Sequence, residues 1–324
     1  MPSAARRKTR VVVCGEKHVA EACLRILSVC DDTDICAVVA SPRDWQADLI
    51  AWGVAHRTKV YVGNINRYID ELKRLEPDFI FSVQYRRLLR PDVLAIPRRG
   101  CINLHFGLLP RYGGCYPVAW AILNGESQAG VTLHYMTERF DEGDVIAQCS
   151  VPVGPHTTAR ELFDALSEAG VALFQAQYPI LRLGGEQTWP QDASKWLYYD
   201  KHSIDFERDR WIDWRRCGAD VQRQICAFTF EPFQLPATGL RGPDGQHHTA
   251  MIAQTRLCDG SALPSQAVGS VGSVTPSGAI RVVAGDGVLL EIGVLNQLPA
   301  HDFIASLGYD PRRVRLVSER GEGT

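Results

Sequence analysis

The chain has 324 residues, enough for about two domains, and its 45% hydrophobic and 22% charged content is too apolar for a disordered chain. Its 35 basic and 37 acidic residues leave a formal charge of −2, which argues against a surface that grips nucleic acid by bulk positive charge. No apolar run approaches the roughly 18 residues that cross a bilayer. The basic start, MPSAARRKTR, runs straight into Val11-Val12-Val13 without a separate hydrophobic core or a small-residue cleavage site, so a cytoplasmic protein is expected. Ten cysteines with no CxxC pair read as small buried hydrophobes, reduced in that compartment. No metal site is expected, since His247-His248 has no cysteine at ligand spacing.

The first half alternates strand and helix patterns. Arg10–Cys14 is a short β-branched strand, followed by Gly15 and a helical pattern at Val19, Cys23, Leu24 and Leu27. Residues 34–40, Lys59–Val62, Asp78–Val83 and Cys101–His105 read as further strands, with helices over 45–55 and at Tyr68, Ile69, Leu72 and Leu75 between them. The continuous apolar run DFIFSV suits a strand covered on both faces of a parallel sheet. An α/β class with a doubly wound, mainly parallel Rossmann-like sheet follows. The turn after the first strand is Cys-Gly-Glu-Lys-His and lacks the GxGxxG phosphate loop, so Gly15 reads as a sharp turn rather than a dinucleotide site.

Thr158-Ala-Arg-Glu161 is a capping box that opens a helix with Leu162, Leu166 and Leu173 on its apolar face. Leu183–Asp209 has little periodicity and reads as a linker-like crossing segment, and Asp220–Phe228 as a short helix. From about residue 236, glycine and proline turns punctuate short strands such as Ala279–Ala284 and Val288–Val294, a smaller all-β, barrel-like module. The expected division is a catalytic domain over 1–190, a linker and connecting helix over 191–235, and the β module over 236–324.

The stretch 101–146 carries the chemistry. Alternation along a strand puts Ile102 and Leu104 on one face and Asn103 and His105 on the other. Two polar groups side by side at the carboxyl end of a parallel strand lie where open α/β sheets bind ligands. The strand Gly130–Met136 and the loop Thr137–Gly143 follow. Read alone, Asp141 in Asp-Glu-Gly-Asp is a solvated acidic turn.

The order NLHxxLLPxxxG, A-I-x-x-G, GVTxHxM and DxGxxI resembles the 10-formyltetrahydrofolate-dependent formyltransferases, a family that includes methionyl-tRNA formyltransferase and the sugar-nucleotide N-formyltransferases. Weaker likeness extends to Glu76–Leu89, to the helix at Val221–Phe228 and to the carboxyl-terminal β module. The resemblance implies Asn103, His105 and Asp141 as the catalytic trio and 10-formyltetrahydrofolate as the formyl donor. The residue types suit the reaction. Attack of an amine on the formyl carbon builds an oxyanion that the Asn103 amide can stabilise, one such donor being worth roughly 3–4 kcal/mol. His105 can assist that oxygen or move the amine's proton, and Asp141 can orient the imidazole or take the proton itself.

By the same resemblance the donor is clamped by Arg87, Leu88 and Leu89 and by the loop that carries Tyr135, Glu138 and Glu142, while Tyr116 and Tyr85 are candidates for acceptor contact. The chain departs from the family pattern at Gly107 and Gly113, where relatives commonly carry serine and arginine. Gly107 removes a hydroxyl near the donor.

The acceptor is a separate question. The loop Ser41–Ala47 has no basic insertion, and residues 237–308 hold only Arg241, Arg256 and Arg281, too few cations for tRNA phosphates. The expected acceptor is therefore a nucleotide-linked 4-amino- or 3-amino-deoxysugar. Aromatic residues between Trp189 and Trp214 could stack its base or sugar, although core packing explains most of them. Methionyl-tRNA, N-hydroxyornithine and a non-catalytic folate- or nucleotide-binding module are the alternatives. Hydrolysis of the donor is expected only with a regulatory domain ahead of the first strand. No membrane or nucleic-acid partner is expected, and a homodimer is left open.

Overall fold

Val11, Val12 and Val13 are completely buried, as a β-branched run at the centre of a two-sided sheet should be. The computed structural model describes residues 7–41, 47–232, 234–261 and 266–318; residues 42–46, most of the loop read above as lacking a basic insertion, lie outside them. Two compact units result. The first comprises Met1–Pro117, Ala129–Val151 and Asp164–Tyr199, and the second Val118–Gln128, Pro152–Phe163 and Asp200–Thr324. Residues 191–199, read from sequence as the start of a linker, thus belong with the first unit.

The first unit runs β1 (Thr9–Gly15), α1 (Lys17–Ser28), β2 (Thr33–Ala40), α2 (Ala47–Ala55), β3 (Lys59–Val62), α3 (Ile69–Leu75), β4 (Phe79–Val83), α4 (Pro91–Leu94), β5 (Cys101–His105) and β6 (Gly113–Gly114). After α5 (Pro117–Leu123), which falls in the second unit from Val118 on, come β7 (Gln128–Tyr135), β8 (Val145–Pro152), α6 (Ala159–Leu183), of which the first unit holds the part from Asp164, and β9 (Tyr198–Tyr199). The sheet order is β3-β2-β1-β4-β5-β7-β8, parallel from β3 to β5, while β7 runs antiparallel to β5. The mainly parallel, doubly wound α/β sheet is the one the alternating pattern implies. One face is closed by α6, whose Phe174 and Tyr178 meet Phe81 of β4 edge-on at 5.1 and 6.0 Å. Cys14 and Cys36 belong to the core on the other face, where burial pushes their thiols up to about 12 and about 11.

The second unit holds α7 (Phe206–Asp209), α8 (Gly218–Phe228), β10 (Ala237–Arg241), β11 (His247–Ser261), β12 (Val271–Val274), β13 (Ile280–Val283), β14 (Val288–Leu295), β15 (Leu298–Pro299), α9 (Ala300–Ser306) and β16 (Arg315–Val317). Its strands order as β12-β13-β14-β11-β10-β16. An isolated bridge between Ser270 and Arg315 brings the two ends of that path together, which gives the expected barrel-like form. Trp214 lies in its core and donates its indole N–H to Thr238 Oγ1 at 2.9 Å.

The capping box is present: Thr158 Oγ1 accepts the Glu161 N–H at 3.2 Å, and Glu161 Oε2 accepts the Thr158 N–H at 2.9 Å. Thr158→Ala should therefore lower the free energy of unfolding by about 1 kcal/mol in a urea titration, with Thr158→Ser near wild type. Equal midpoints for all three proteins would show the box to be idle.

Candidate active site

In this sheet β1 lies between β2 and β4, so connections leave its two sides in opposite directions and open a crevice beyond the carboxyl ends of β1 and β4. Glu16, just past β1, is buried and its carboxylate faces Arg86 Nε at 3.1 Å. Lys17 follows with φ +65°, and its amine is lowered to about 8, chiefly by burial and then by the charge of Arg86, with Glu16 opposing. Burial raises the Tyr116 phenol, Cys115 adds to the rise, and Arg86 works against it. One guanidinium thus acts on both Lys17 and Tyr116. This charged group was not read from the sequence, because Glu-Lys after a strand looks like any solvated turn.

Next to β4 stands β5, with Ser82 in register with Asn103 and Val83 with Leu104. The expected alternation holds: Ile102 and Leu104 are core, and Asn103 shares the other face with His105. Antiparallel β7 adds a second polar row, setting His134 opposite Asn103 and Thr132 opposite His105. His134 Nδ1 lies 2.8 Å from the Tyr135 carbonyl, which can only accept, so Nδ1 carries the proton. Its Nε2 lies 3.3 Å from Asn103 Nδ2, which sets the amide beside the ring. Thr132 Oγ1 donates to the Gly107 carbonyl at 2.6 Å and accepts the Leu109 N–H at 3.2 Å, tying down the loop after His105.

His105 is buried, with Nε2 2.7 Å from the Tyr112 carbonyl and Nδ1 3.7 Å from Asp141 Oδ2. Both ring nitrogens thus face oxygens. Asp141 Oδ2 also accepts the Gly114 N–H at 2.8 Å, and its Oδ1 lies 3.5 Å from His134 Nε2. Burial opposes ionisation of Asp141, yet the charge of His105, the hydrogen bond and charge of His134 and the Gly114 N–H together hold its carboxyl well below the usual range. The acidic turn of the sequence is a nearly buried anion.

The matched family completes the picture. The formyl transferase profile covers residues 10–177, just over half of the chain. The chain belongs to the formyl transferase family. This formyltransferase is 31% identical over 243 residues to the methionyl-tRNA formyltransferase of Geobacter sulfurreducens, covering 75% of this chain and 73% of that protein. It is 36% identical over 173 residues to the bifunctional polymyxin resistance protein ArnA of Wigglesworthia glossinidia brevipalpis, covering 52% of this chain and 26% of that one, so the match spans about a quarter of its length. Among solved structures it resembles the N-formyltransferase of Helicobacter canadensis in complex with folinic acid and dTDP-3-aminofucose, with a TM-score of 0.68 and 21% identity over 88% of this chain and 98% of that one.

The other expected site residues fall into two sets. Arg87 and Leu88 are exposed on the loop after β4, which leaves the sheet beside Asn103, whereas Leu89 is buried in the core. Glu138 is exposed on the loop after β7, and Glu142 lies 3.4 Å from Arg139. The Tyr135 hydroxyl is engaged by Glu186 Oε1 at 2.9 Å. Tyr85 donates to the Gly63 carbonyl at 2.7 Å and accepts the Ile65 N–H at 2.9 Å, so its hydroxyl is occupied in holding the loop after β3. Missed altogether were His134, the Gly114 N–H and Gln191, whose amide donates to the carbonyls of Asp141 and Gly143 at 2.6 and 2.8 Å.

Gly107 also has a second meaning. A Cβ at this position would lie 2.5 Å from the Tyr112 carbonyl oxygen and 2.7 Å from His105 Nε2, the two atoms of the bond that orients the imidazole. Gly107→Ser should thus displace His105 and lower kcat by about 100-fold, on the scale of a 1 Å misplacement, rather than restore a lost hydroxyl; undiminished turnover would show that the loop yields. The depressed Asp141 carboxyl contributes stability that is complete above its unfolded value of about 3.9 and is lost as the pH falls through the folded value. Asp141→Asn should therefore lose stability less steeply than wild type between about pH 4 and pH 2 in acid denaturation. Superimposable acid limbs would contradict this.

Proposed function

We propose that this protein moves the formyl group of 10-formyltetrahydrofolate onto the primary amine of a nucleotide-linked amino-deoxysugar, as a cytoplasmic enzyme. The observation that supports this acceptor best is a groove of about 340 Å³ beside Asp141, lined by Leu109, Pro110, Phe140, Trp196, Leu197 and Tyr198. Phe140 and Tyr198 pair at 6.5 Å, and both rings, like Trp196, are strongly exposed. A cluster of apolar rings left open to water, with a carboxylate at its margin, suits a sugar or base that stacks on one face and hydrogen-bonds at its edge. Lys17, at the crevice beyond β1 and β4, carries charge of the sign that a diphosphate attracts. By contrast, Arg256 and Arg281 of the β module both pair with Glu291, at 3.4 and 3.3 Å, which reduces the positive charge available for a polynucleotide.

The chemistry follows from the site. The uncharged amine adds to the formyl carbon, and the formyl oxygen gains negative charge. Asn103, whose Nδ2 lies 3.3 Å from His134 Nε2, has an amide N–H to donate to that oxygen. The proton leaving the amine needs a nearby acceptor, and the folate nitrogen must gain a proton as it departs. Asp141 is a poor proton sink, because its carboxyl is held so low; it acts by stabilising positive charge on His105 and on the attacking nitrogen. His105 supplies and receives the proton within that field.

Purified protein should be incubated with 10-formyltetrahydrofolate and, separately, dTDP-3-aminofucose, a dTDP-4-amino-deoxysugar, methionyl-tRNA and N-hydroxyornithine, with products read by mass spectrometry. Formylation of an amino sugar is expected, reduced at least about 100-fold in His105→Ala. Formylation of methionyl-tRNA or N-hydroxyornithine alone would overturn the proposed acceptor, and release of tetrahydrofolate with no acceptor present would point to hydrolysis.

A further inference from the structure

We infer that Gln191 is a positioning residue for formyl transfer: its carboxamide clamps the loop that presents Asp141 to His105. The Asp141 carboxylate is directed wholly at other segments, to the Gly114 N–H at 2.8 Å and towards His134 and His105 at 3.5 and 3.7 Å. Its place must therefore be set through its backbone. That backbone is in the left-handed region, φ +54°, which a residue other than glycine adopts only when its surroundings hold it there. Two residues on, an added Cβ at Gly143 would lie 1.9 Å from the Tyr135 carbonyl oxygen, so the loop is pressed against β7. Across these two turns Gln191 Nε2 gives its two hydrogens to the carbonyls of Asp141 and Gly143, at 2.6 and 2.8 Å.

The clamp is itself anchored. Trp189 exchanges both backbone hydrogen bonds with Val145, at 2.9 and 3.0 Å, and Glu186 takes the Tyr135 hydroxyl at 2.9 Å and Arg99 at 3.2 Å. Beyond it, the Gly113 N–H donates to the Leu197 carbonyl at 3.0 Å and the Cys115 N–H to the Tyr199 carbonyl at 2.7 Å. One segment, 186–199, thus holds both the loop carrying Asp141 and the loop whose Gly114 N–H meets it. Gln191 Oε1 is buried with no hydrogen-bond partner among the described residues. The reversed amide would set that oxygen against two carbonyls, so the orientation that leaves it unpartnered is the one that makes the clamp. Since the influence of Asp141 on His105 is electrostatic and acts over 3.7 Å, it depends on where this loop is held.

The inference rests on formyl transfer by this site and not on the identity of the acceptor. With the acceptor that is turned over in the panel above, Gln191→Ala should lower kcat by about 10- to 100-fold while KM for donor and acceptor changes less than about threefold, as expected for a misplacement of about 1 Å. Gln191→Glu keeps the size of the side chain but cannot give two hydrogens, and should fall at least as far. Lys195→Ala, in the same segment and exposed, should match wild type. Hydrogen exchange at the Gly114 amide needs no substrate, and should be faster in both Gln191 variants and unchanged in Lys195→Ala. Full activity in Gln191→Glu, a change confined to KM, or wild-type Gly114 protection in the Gln191 variants would each overturn the inference, and the exchange result decides it even where no acceptor is found.

Discussion

A carboxylate taken out of water must be compensated, and the arrangement around Asp141 is that compensation. One backbone N–H and two imidazoles converge on it, and they come from three separate places: Gly114 on β6, His105 on β5 and His134 on β7. Each contributor is fixed independently of the carboxylate. His105 is held by the Tyr112 carbonyl, His134 by the Tyr135 carbonyl, and Gly114 by the pairing of β6 with β9. The anion therefore enters a site already shaped to receive it, and its charge in turn favours positive charge on the neighbouring rings. The antiparallel placement of β7 matters here. It brings a second row of polar side chains against the Asn103 face and turns two strands into one polar patch on an otherwise apolar sheet.

Much of this frame is legible in the residues. Apolar runs such as Val11–Val13 and Phe79–Val83 mark covered strands, and the alternation of Asn103 and His105 with Ile102 and Leu104 marks the functional edge. The same signal stands in β7, where Thr132 and His134 alternate with the buried Val131 and Leu133, and it could have been read in the same way. Asp141 is different. Composition makes Asp-Glu-Gly-Asp a solvated turn, and only partners far along the chain make it a buried anion. The engagement of Tyr85 is hidden for a related reason: its hydroxyl is bound to the backbone of residues 63 and 65, a contact that no local pattern announces.

The segment 186–199 is the largest omission, and its physics explains why. It acts through backbone pairing at Trp189, Leu197 and Tyr199 and through one amide at Gln191. None of these needs an apolar period, and neither the pairing nor the amide narrows residue choice along its length. A stretch that serves by lending its backbone looks like a linker. Gly107 shows the converse. Beside a family pattern it reads as a hydroxyl lost from the donor pocket, whereas in three dimensions it is the space that allows His105 and the Tyr112 carbonyl to meet.

These features bear on how the reaction is driven. A carboxylate with a pKa near the working pH would serve as a base, and modest errors in its position could be tolerated through a bridging water. One held far below that range accepts protons poorly, so its worth lies in the field it exerts on charge developing nearby. A field of this kind weakens with distance and gains from exclusion of water. It therefore demands backbone-level control of position, which side-chain chemistry alone cannot provide. The glycine beside His105, the left-handed turn at Asp141 and the amide across that turn all bear on position rather than on proton affinity, which is what a catalyst relying on a fixed charge requires.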